Sequence, residues 1–254
     1  MDRADYLRRK AHFDNFLTIC GRKPVLEALK TPELKSIKLH FSEKNRPATI
    51  LEEIQTLASE QGVAIEHHSA AKLSRISKSA KQDQGVALDL ECPNFMTLEM
   101  LLSEEDLGDT MIALDNVTNP QNLGMIIRSV AASPCTAIIL PRKGCAPLNA
   151  LVIKASAGNL FKAPIVRVNS LCDALHQCKK RGYNIASLEA EASNSVLDQD
   201  TAVPTIFVLG NETNGVSEEI KQACDRAYRI PMKRGVESLN VAVTASLIAY
   251  RGLK

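Results

Sequence analysis

Residues 111–128 read MIALDNVTNPQNLGMIIR and carry the pattern that decides the fold of the larger part of the chain. The first four residues are apolar and predict a buried strand, while the apolar spacing after Asn122 predicts a helix. Between them lies a loop rich in asparagine, a residue that favours turns and caps free amide groups at a helix start. A buried strand followed by a loop and a helix is the unit of a parallel α/β sheet.

The same alternation of strand and helix continues to the end of the chain. We predict strands at residues 111–114, 137–140, 165–168, 184–188, 205–209 and 228–230, and helices after residue 122, at 149–156, 170–181 and 217–224, and from 239 onward. Strands that are apolar throughout, such as residues 206–209, are typical of a parallel sheet covered on both faces. Residues 110–254 are therefore predicted to form an open α/β domain.

The first part of the chain predicts a second, smaller α/β domain at residues 21–92. Two apolar strands are expected at 36–41 and 85–90, with an amphipathic helix at 47–61 between them. Residues 1–20 are interpreted as a basic N-terminal extension. Residues 93–109 contain a proline and a run of acidic residues, a change of composition that indicates a linker.

The composition limits the classes of protein that the chain can belong to. An apolar share of 45% in 254 residues is enough for a sizeable core, but no apolar run approaches the roughly 20 residues that cross a bilayer. The charged N-terminus does not resemble a signal peptide, so we expect a cytoplasmic protein without a membrane partner. The seven cysteines form no CxxC pair, which favours reduced thiols over a disulfide framework or a zinc site. No metal is expected in the functional site.

Ligands of open parallel sheets bind at the carboxyl ends of the strands, so the loops after Leu114, Leu209 and Ile230 are the candidate sites. The first loop enters a helix that carries Arg128 among apolar residues, where a guanidinium needs an anionic partner or a position at the helix edge. The alternative for this loop is a capped helix entrance without a ligand. For Asn122, both interpretations stay open.

The second and third loops also contain residues with two possible roles. Glu212 stands between two glycines that allow close approach of a ligand, but an acid at this place can also complement a helix dipole. Ser238 is a natural helix cap. Asn240 is expected just inside the last helix, where asparagine has a poor propensity, so we expect it to face a ligand or another loop.

The net charge of the chain and the absence of two nucleotide-binding motifs restrict the classes of ligand that it can bind. The net charge of +2 is too small to indicate nucleic acid binding by itself, although Arg22 and Lys23 could follow a phosphate backbone as well as form a solvated face. The absence of tryptophan argues against a platform that stacks bases. Neither a GxGxxG fingerprint nor a GK[ST] loop is present, which disfavours a nicotinamide oxidoreductase or an ATPase.

The three loops together resemble the motifs of a known family, the SpoU (TrmH-like) RNA methyltransferases of the SPOUT class. The motifs are NPxNxGxxxR at 119–128, LGxExxGV at 209–216, and IPM followed by SLNVA within 230–242. They occur in this order and at the expected distances. Residues 154–158, KASAG, are similar to the family as well.

The resemblance implies more about the fold than the pattern alone. A SPOUT domain has a parallel sheet and a deep trefoil knot, and the family acts as a homodimer through this domain. GRKPVLEAL at 21–29 and QGV at 84–86 are similar to the family's ribosomal-protein-like substrate-binding domain. Asp83 stands where the family usually has histidine, which leaves the choice of substrate open.

The resemblance also implies an activity, the transfer of a methyl group from S-adenosylmethionine to a ribose 2'-hydroxyl of RNA. Ribosomal RNA is the favoured substrate; transfer RNA, or a non-catalytic RNA-binding or assembly role, are the alternatives. The residues implied are, for catalysis, Arg128, Asn122, Glu212, Ser238 and Asn240; for the cofactor, Leu209, Gly210, Asn211, Ile230, Met232, Ser238 and Leu239; and for RNA, Arg22, Lys23 and Arg128.

Overall fold

The computed structural model describes residues 16–77, 83–92, 94–104, 108–199 and 203–251. The chain divides into two compact units, with the boundary between residues 93 and 94. Within the described residues, no helix combines the length and the apolar character that a bilayer span requires.

The first unit is a four-stranded mixed sheet with three helices, which confirms the small α/β domain. Its elements are β1 Phe16–Cys20, α1 Arg22–Leu29, β2 Ser36–Ser42, α2 Thr49–Glu60, β3 Ala64–His68, α3 Ala70–Ser77 and β4 Val86–Glu91. The strand order is β1-β4-β2-β3, with β2 and β3 parallel and the other pairs antiparallel. Ile54 and Ala58 of α2 are fully buried, as the helical spacing of its apolar residues predicts.

The first strand corrects the predicted N-terminal extension of residues 1–20. Residues 16–20 form β1, which pairs with β4 along its whole length. Leu17 and Ile19 point to the buried face, and this alternation is the strand pattern that the prediction overlooked. The rest of the predicted extension, residues 1–15, lies outside the described residues.

The second unit contains an eight-stranded sheet in which every neighbouring pair is parallel, which confirms the α/β prediction. Its elements are β5 Phe95–Met96, α4 Leu98–Ser103, β6 Thr110–Leu114, α5 Pro120–Ala131, β7 Ala137–Pro141, α6 Ala150–Ala155, β8 Ile165–Val168, α7 Leu171–Lys180, β9 Asn184–Leu188, β10 Asn194–Ser195, β11 Thr205–Leu209, α8 Glu218–Ala223, β12 Arg226–Arg229 and α9 Val241–Ala249. The order is β10-β12-β9-β11-β6-β7-β8-β5. The trefoil knot stays a prediction.

The predicted linker of residues 93–109 is wrong for its described middle part. Phe95 and Met96 form β5 at the edge of the large sheet, and α4 follows directly. Thr97 caps this helix by accepting a hydrogen bond from the amide of Met100. Leu98 and Leu101 are buried in the core of the second unit, so the segment belongs to that unit.

All seven cysteines lie within the described residues, and none of them forms a disulfide there. Burial raises the pKa of Cys135 to about 12 and that of Cys178 to about 11. Such thiols remain protonated at neutral pH and behave as small apolar core residues.

Candidate active site

Three loops leave the large sheet at its carboxyl edge. They follow β6, β11 and β12, and β6 and β11 are direct neighbours in the sheet. Because all strands are parallel, their carboxyl ends lie at one edge, where an open sheet binds its ligands. The three predicted loops therefore lie at the same edge of the sheet.

The loop after β6 is stabilised by hydrogen bonds within itself and by a hydrogen bond to the second loop. Asn119 caps α5, its side-chain oxygen accepting hydrogen bonds from the amides of Gln121 at 2.8 Å and Asn122 at 3.4 Å. The buried carboxylate of Asp115 accepts a hydrogen bond from the amide of Ser217 at 2.7 Å. Asp115 thus fixes the distance between the first and second loops.

The loop after β11 folds into a very tight turn. The backbones of Asn211 and Gly215 exchange two hydrogen bonds, of 3.0 and 2.8 Å. A Cβ atom on Gly210 would lie 2.0 Å from the carbonyl carbon of Gly215, so only glycine fits at this position. The turn therefore brings the backbone of Gly210 into close contact with that of Gly215 at the sheet edge.

The loop after β12 leads into α9, and its capping residue corrects the sequence-based assignment. Asn240 rather than Ser238 is the N-cap, because its side-chain oxygen accepts a hydrogen bond from the amide of Ala242 at 2.8 Å. The helix begins at Val241, two residues later than expected. Ser238 is thereby released from capping and is exposed.

A chain of amide and carboxyl side chains connects the three loops. The Nδ2 group of Asn122 donates to the Oε1 atom of Glu212, and the Nδ2 group of Asn240 donates to Oδ1 of Asn122 at 3.1 Å. Asn122 is buried, whereas Glu212 and Asn240 are exposed. Three of the five predicted catalytic residues are therefore in direct contact, although as much as 118 positions of sequence separate them.

A cavity of about 910 Å³ lies between the second and third loops. All seven residues predicted to hold the cofactor line this cavity, and Glu212 lines it as well. Its wall is partly apolar, with Leu209 and Val216 buried at its base. A pocket of this size and lining is suited to a small organic ligand.

Arg128 is the one predicted catalytic residue that neither lines this cavity nor joins the amide chain. It lies in the last turn of α5 and is exposed. Across the described parts of the chain, no hydrogen bond or ion pair holds its guanidinium. A cation that is free in this way is available for an external anion.

The two remaining predicted RNA-binding residues lie in the first unit. Arg22 begins α1, and its guanidinium donates to the carbonyl of Gln84 at 3.1 Å, while Lys23 is exposed beside it. Arg22 lines a shallow cavity of about 500 Å³ that also includes Lys44 and Arg46. The structure thus groups Arg22 with two cations that the sequence-based prediction did not include.

Asp83, the position that differs from the expected motif, is a buried turn residue that lines this cavity. Its carboxylate accepts hydrogen bonds from the amide of Gly85 at 3.0 Å and the hydroxyl of Ser77 at 3.2 Å. The substitution therefore has a local structural role in holding the turn before β4.

Sequence reasoning missed the residues that follow β9. Glu189 and Glu191 line the large cavity, and Glu189 accepts a hydrogen bond from the hydroxyl of Ser187 at 2.5 Å. The position of β9 could have indicated these residues. β9 lies between β11 and β12, so it also ends at the carboxyl edge of the sheet. The two glutamates add negative charge to the cavity wall.

Cys145 lies near the first loop, its thiol 3.6 Å from the carbonyl of Leu114. Burial, with a contribution from the nearby Asp115 carboxylate, raises the pKa of Cys145 to about 11. The thiol is therefore protonated at neutral pH and is a poor nucleophile.

Comparison with known proteins agrees with this geometry. The model of the SpoU rRNA methylase family matches residues 109–250, and a model described as RNA 2'-O ribose methyltransferase substrate binding matches residues 18–96. An uncharacterized tRNA/rRNA methyltransferase of Mycolicibacterium vanbaalenii is 31% identical over 238 residues, which cover 92% of this chain and 75% of the relative. A Mycobacterium tuberculosis protein with the same description is 31% identical over 248 residues, 97% of this chain and 76% of the relative.

Solved structures share the fold. The AdoMet-bound rRNA methyltransferase of Sinorhizobium meliloti has a TM-score of 0.60 and 24% identity, over 92% of this chain and 85% of that one. The SpoU methyltransferase AviRb of Streptomyces viridochromogenes, in complex with AdoMet, has a TM-score of 0.61 and 22% identity, over 98% and 92%. The matched domain contains all three connected loops, and the chain is therefore an RNA methyltransferase of the SpoU rRNA methylase family.

Proposed function

We propose that this protein transfers a methyl group from S-adenosylmethionine to a ribose 2'-hydroxyl of RNA, with ribosomal RNA as its substrate. The observation that carries the proposal is the cavity at the carboxyl edge, whose wall is built from the second and third motif loops and whose rim is tied to the first by Asn122, Glu212 and Asn240. The substrate-binding model that matches the first unit supports the 2'-hydroxyl as the acceptor. Seven cysteines that form no disulfide within the described residues fit a protein of the reducing cytoplasm.

The residues of the cavity fit S-adenosylmethionine. Its adenine needs a flat apolar surface with main-chain polar groups at the edge, which Leu209, Gly210, Ile230 and Leu239 supply. The missing Cβ atom of Gly210 keeps the turn tight and its backbone accessible. Asn211, Met232 and Ser238 complete the predicted binding set.

The charge of the cavity wall also suits this ligand, whose sulfonium and amino groups are cationic while its carboxylate is anionic. Glu189, Glu191, Glu212 and Glu237 line the cavity, against Lys221 and Arg229. The excess of carboxylates favours a ligand that carries a net positive charge. The cofactor supplies an activated methyl group on a cationic sulfur.

The chemistry left to the protein is alignment of the acceptor and control of one proton. With the cofactor bound, the methyl group would pass from its sulfur to the ribose 2'-oxygen, and the hydroxyl proton would be released to solvent water. Holding two reacting centres in line is worth roughly 7–11 kcal/mol. We assign this alignment to Ser238 and to the side chains of Asn122, Glu212 and Asn240, which hold the loops at fixed distances.

Arg128 is proposed to grip the phosphate next to the target ribose and to stabilise negative charge on its oxygen. Its guanidinium is exposed and has no partner within the described residues, so it can form a forked contact with a phosphate. It is a poor candidate for the base, because an arginine guanidinium keeps its proton in proteins. Arg22 and Lys23 are proposed to contact RNA from the first unit.

We further propose that two copies of the chain associate through the second unit. Val243, Leu247 and Tyr250 are exposed apolar side chains at α9 or its C-cap. Their spacing places them along one face of the helix. A second copy that covers this face would bury side chains that a monomer leaves in water.

Calorimetry with S-adenosylhomocysteine and mapping of 2'-O-methyl groups test the function together. The protein is expected to bind this demethylated form of the cofactor, and cells that lack the gene are expected to lose methylation at one ribosomal RNA position. Loss at a transfer RNA position would overturn the choice of substrate only. Absence of binding at high micromolar ligand, together with an unchanged methylation map, would favour a non-catalytic RNA-binding protein.

A further inference from the structure

Two histidines and a glutamate meet on one face of the small sheet in the first unit. β2 and β3 are parallel neighbours, and His40 is paired in register with Glu66. His68 lies two residues after Glu66, so its side chain projects to the same face of the strand. One ligand atom from each of the three residues falls within a common distance of 4.8 Å.

An aspartate behind His40 fixes the orientation of its ring. Nε2 of His40 lies 2.9 Å from Oδ2 of Asp89, and the hydroxyl of Thr18 donates to Oδ1 of the same carboxylate at 2.6 Å. Since an ionised carboxylate only accepts hydrogen bonds, the proton of the His40 ring belongs on Nε2. The other ring nitrogen, Nδ1, is then left with a free lone pair.

This lone pair points at a second imidazole. Nδ1 of His40 lies 2.9 Å from Nε2 of His68, so a single proton must lie between the two nitrogens, bound to one and accepted by the other. In the absence of metal it is the Nε2 proton of His68. The remaining nitrogen of that ring, Nδ1, is buried and has no hydrogen-bond partner within the described chain.

Glu66 supplies a third ligand from the solvent side. Its Oε1 atom is bound by Lys38 at 2.6 Å, while Oε2 faces Nε2 of His68 at 3.6 Å. In a tetrahedral zinc site with bonds near 2.0–2.1 Å, neighbouring ligand atoms lie about 3.3 Å apart. The separations of 2.9 and 3.6 Å lie on either side of this value, and the third pair of ligand atoms lies within 4.8 Å, so the three side chains would have to adjust around the ion.

We propose that His40, His68 and Glu66 form a binding site for a divalent transition metal of the zinc class, in the substrate-binding unit and separate from the methyl-transfer site. Zn²⁺ takes the place of the proton between the two imidazoles, and that proton moves to Nδ1 of His68, so both rings stay neutral. The fourth position belongs to water, which reaches the site beside the half-exposed Glu66. Two imidazoles and a carboxylate favour Zn²⁺ over Mg²⁺ or Ca²⁺.

The surroundings of His40 support a metal. The hydrogen bond from His40 to Asp89 is the outer-shell contact that orients most metal-bound imidazoles. The ligands come from β2 and from β3, which is the edge strand of the sheet. A bound ion would therefore fasten this edge strand to the centre of the unit.

Metal titration of the tag-free full-length protein tests the site. Zn²⁺ is expected to bind with a stoichiometry of one per chain by calorimetry, and Co²⁺ to give the strong visible absorption of a tetrahedral complex. Glu66→Gln is the main variant, because a side chain that is 47% exposed can be changed without loss of folding. Glu91→Gln is the control, since Glu91 is a strand glutamate paired with a lysine, Lys35, outside the site.

We expect Glu66→Gln to weaken zinc binding by more than tenfold and Glu91→Gln to leave it unchanged. Asp89→Asn is expected to weaken it by about 10–100-fold, the usual effect of an outer-shell partner. Nitrogen-15 spectra of the imidazoles should show the His68 proton move from Nε2 to Nδ1 as Zn²⁺ is added. Absence of zinc binding at high micromolar metal, equal affinities of the two glutamate variants, or an unmoved proton would each refute the site.

Discussion

At the scale of single residues, Arg128 and Asn240 differ most clearly in their roles. Arg128 is expected to act in binding alone, whereas Asn240 also stabilises the fold. Arg128 has an exposed guanidinium and no protein partner within the described residues, so its removal costs the fold little. Asn240 has two structural bonds, one to the backbone of α9 and one to Asn122. Substitutions at these positions therefore have different expected signatures in stability and in activity.

Arg128→Lys is expected to leave thermal stability unchanged and to lower single-turnover methyl transfer by about tenfold to a hundredfold. The reason is that lysine keeps the charge but loses the forked contact, and a hydrogen bond to a charged group is worth about 1.5–3 kcal/mol. Rapid-quench measurement of labelled methyl transfer to RNA gives the rate. Lys180→Gln, which removes an exposed helix cation elsewhere in the same unit, serves as the control. A near wild-type rate for Arg128→Lys would exclude the forked contact.

Asn240→Ala and Asn240→Asp are expected to differ. The alanine variant loses the helix cap, which lowers the free energy of unfolding by about 0.5–2 kcal/mol, and it also loses the bond to Asn122. The aspartate variant keeps the capping oxygen but replaces the amide donor by a carboxylate beside the Asn122–Glu212 pair. It should retain stability in urea unfolding and still lose methyl transfer.

Asn149→Ala is the matched control for the cap at Asn240, because Asn149 caps α6 with bonds to the amides of Leu151 and Val152. This variant should lose a similar amount of stability and keep its activity per folded molecule. If Asn240→Asp remained fully active, the amide chain across the three loops would have no part in transfer.

At the scale of elements, the packing of α5 against α6 depends on Gly124. A Cβ atom at this position would lie 2.4 Å from Cβ of Ala155 and 2.8 Å from the carbonyl of Val152. Replacement of glycine by alanine inside a helix normally stabilises it by about 1 kcal/mol. We expect Gly124→Ala to destabilise the protein here instead, because the added Cβ atom forces the two helices apart.

Gly124→Ala is expected to lower the free energy of unfolding by about 1–3 kcal/mol, the usual cost of an overpacked core. Equilibrium urea unfolding measures this change. The double variant Gly124→Ala with Ala155→Gly should recover part of this loss, since it removes the closest of the clashing atoms. A stabilised Gly124→Ala variant would show that the helices are packed more loosely than the structure has them.

The same elements show how far sequence reasoning reaches. Periodicity predicted β11 at its observed bounds, because Thr205–Leu209 is buried on both faces. The start of α9 was placed two residues early, since Ser238 and Asn240 are both good caps and only tertiary contacts choose between them. β5 has only two residues, Phe95 and Met96, which is too short for any periodic signal.

At the scale of the whole molecule, the order of the strands in the sheet determines which loops lie together in the site. Local sequence patterns do not reveal this order. Motif loops could be recognised one by one, and all seven predicted cofactor residues line one cavity. The neighbouring positions of β6 and β11 bring Asn122 and Glu212 into contact across 90 positions of sequence. The loop after β9 was overlooked for the same reason, because its place between β11 and β12 follows only from topology.

The association of two copies is the remaining property of the whole molecule that can be tested directly. We expect Leu247→Glu to convert a dimer into a monomer, as measured by size-exclusion chromatography with light scattering. Leu247 is 51% exposed on α9, between Val243 and Tyr250, and a buried carboxylate without a partner opposes association strongly. Leu197→Glu is the control, since Leu197 is 73% exposed in a different part of the same unit. A monomeric wild-type protein, or a dimer that survives Leu247→Glu, would rule out the α9 face as the interface.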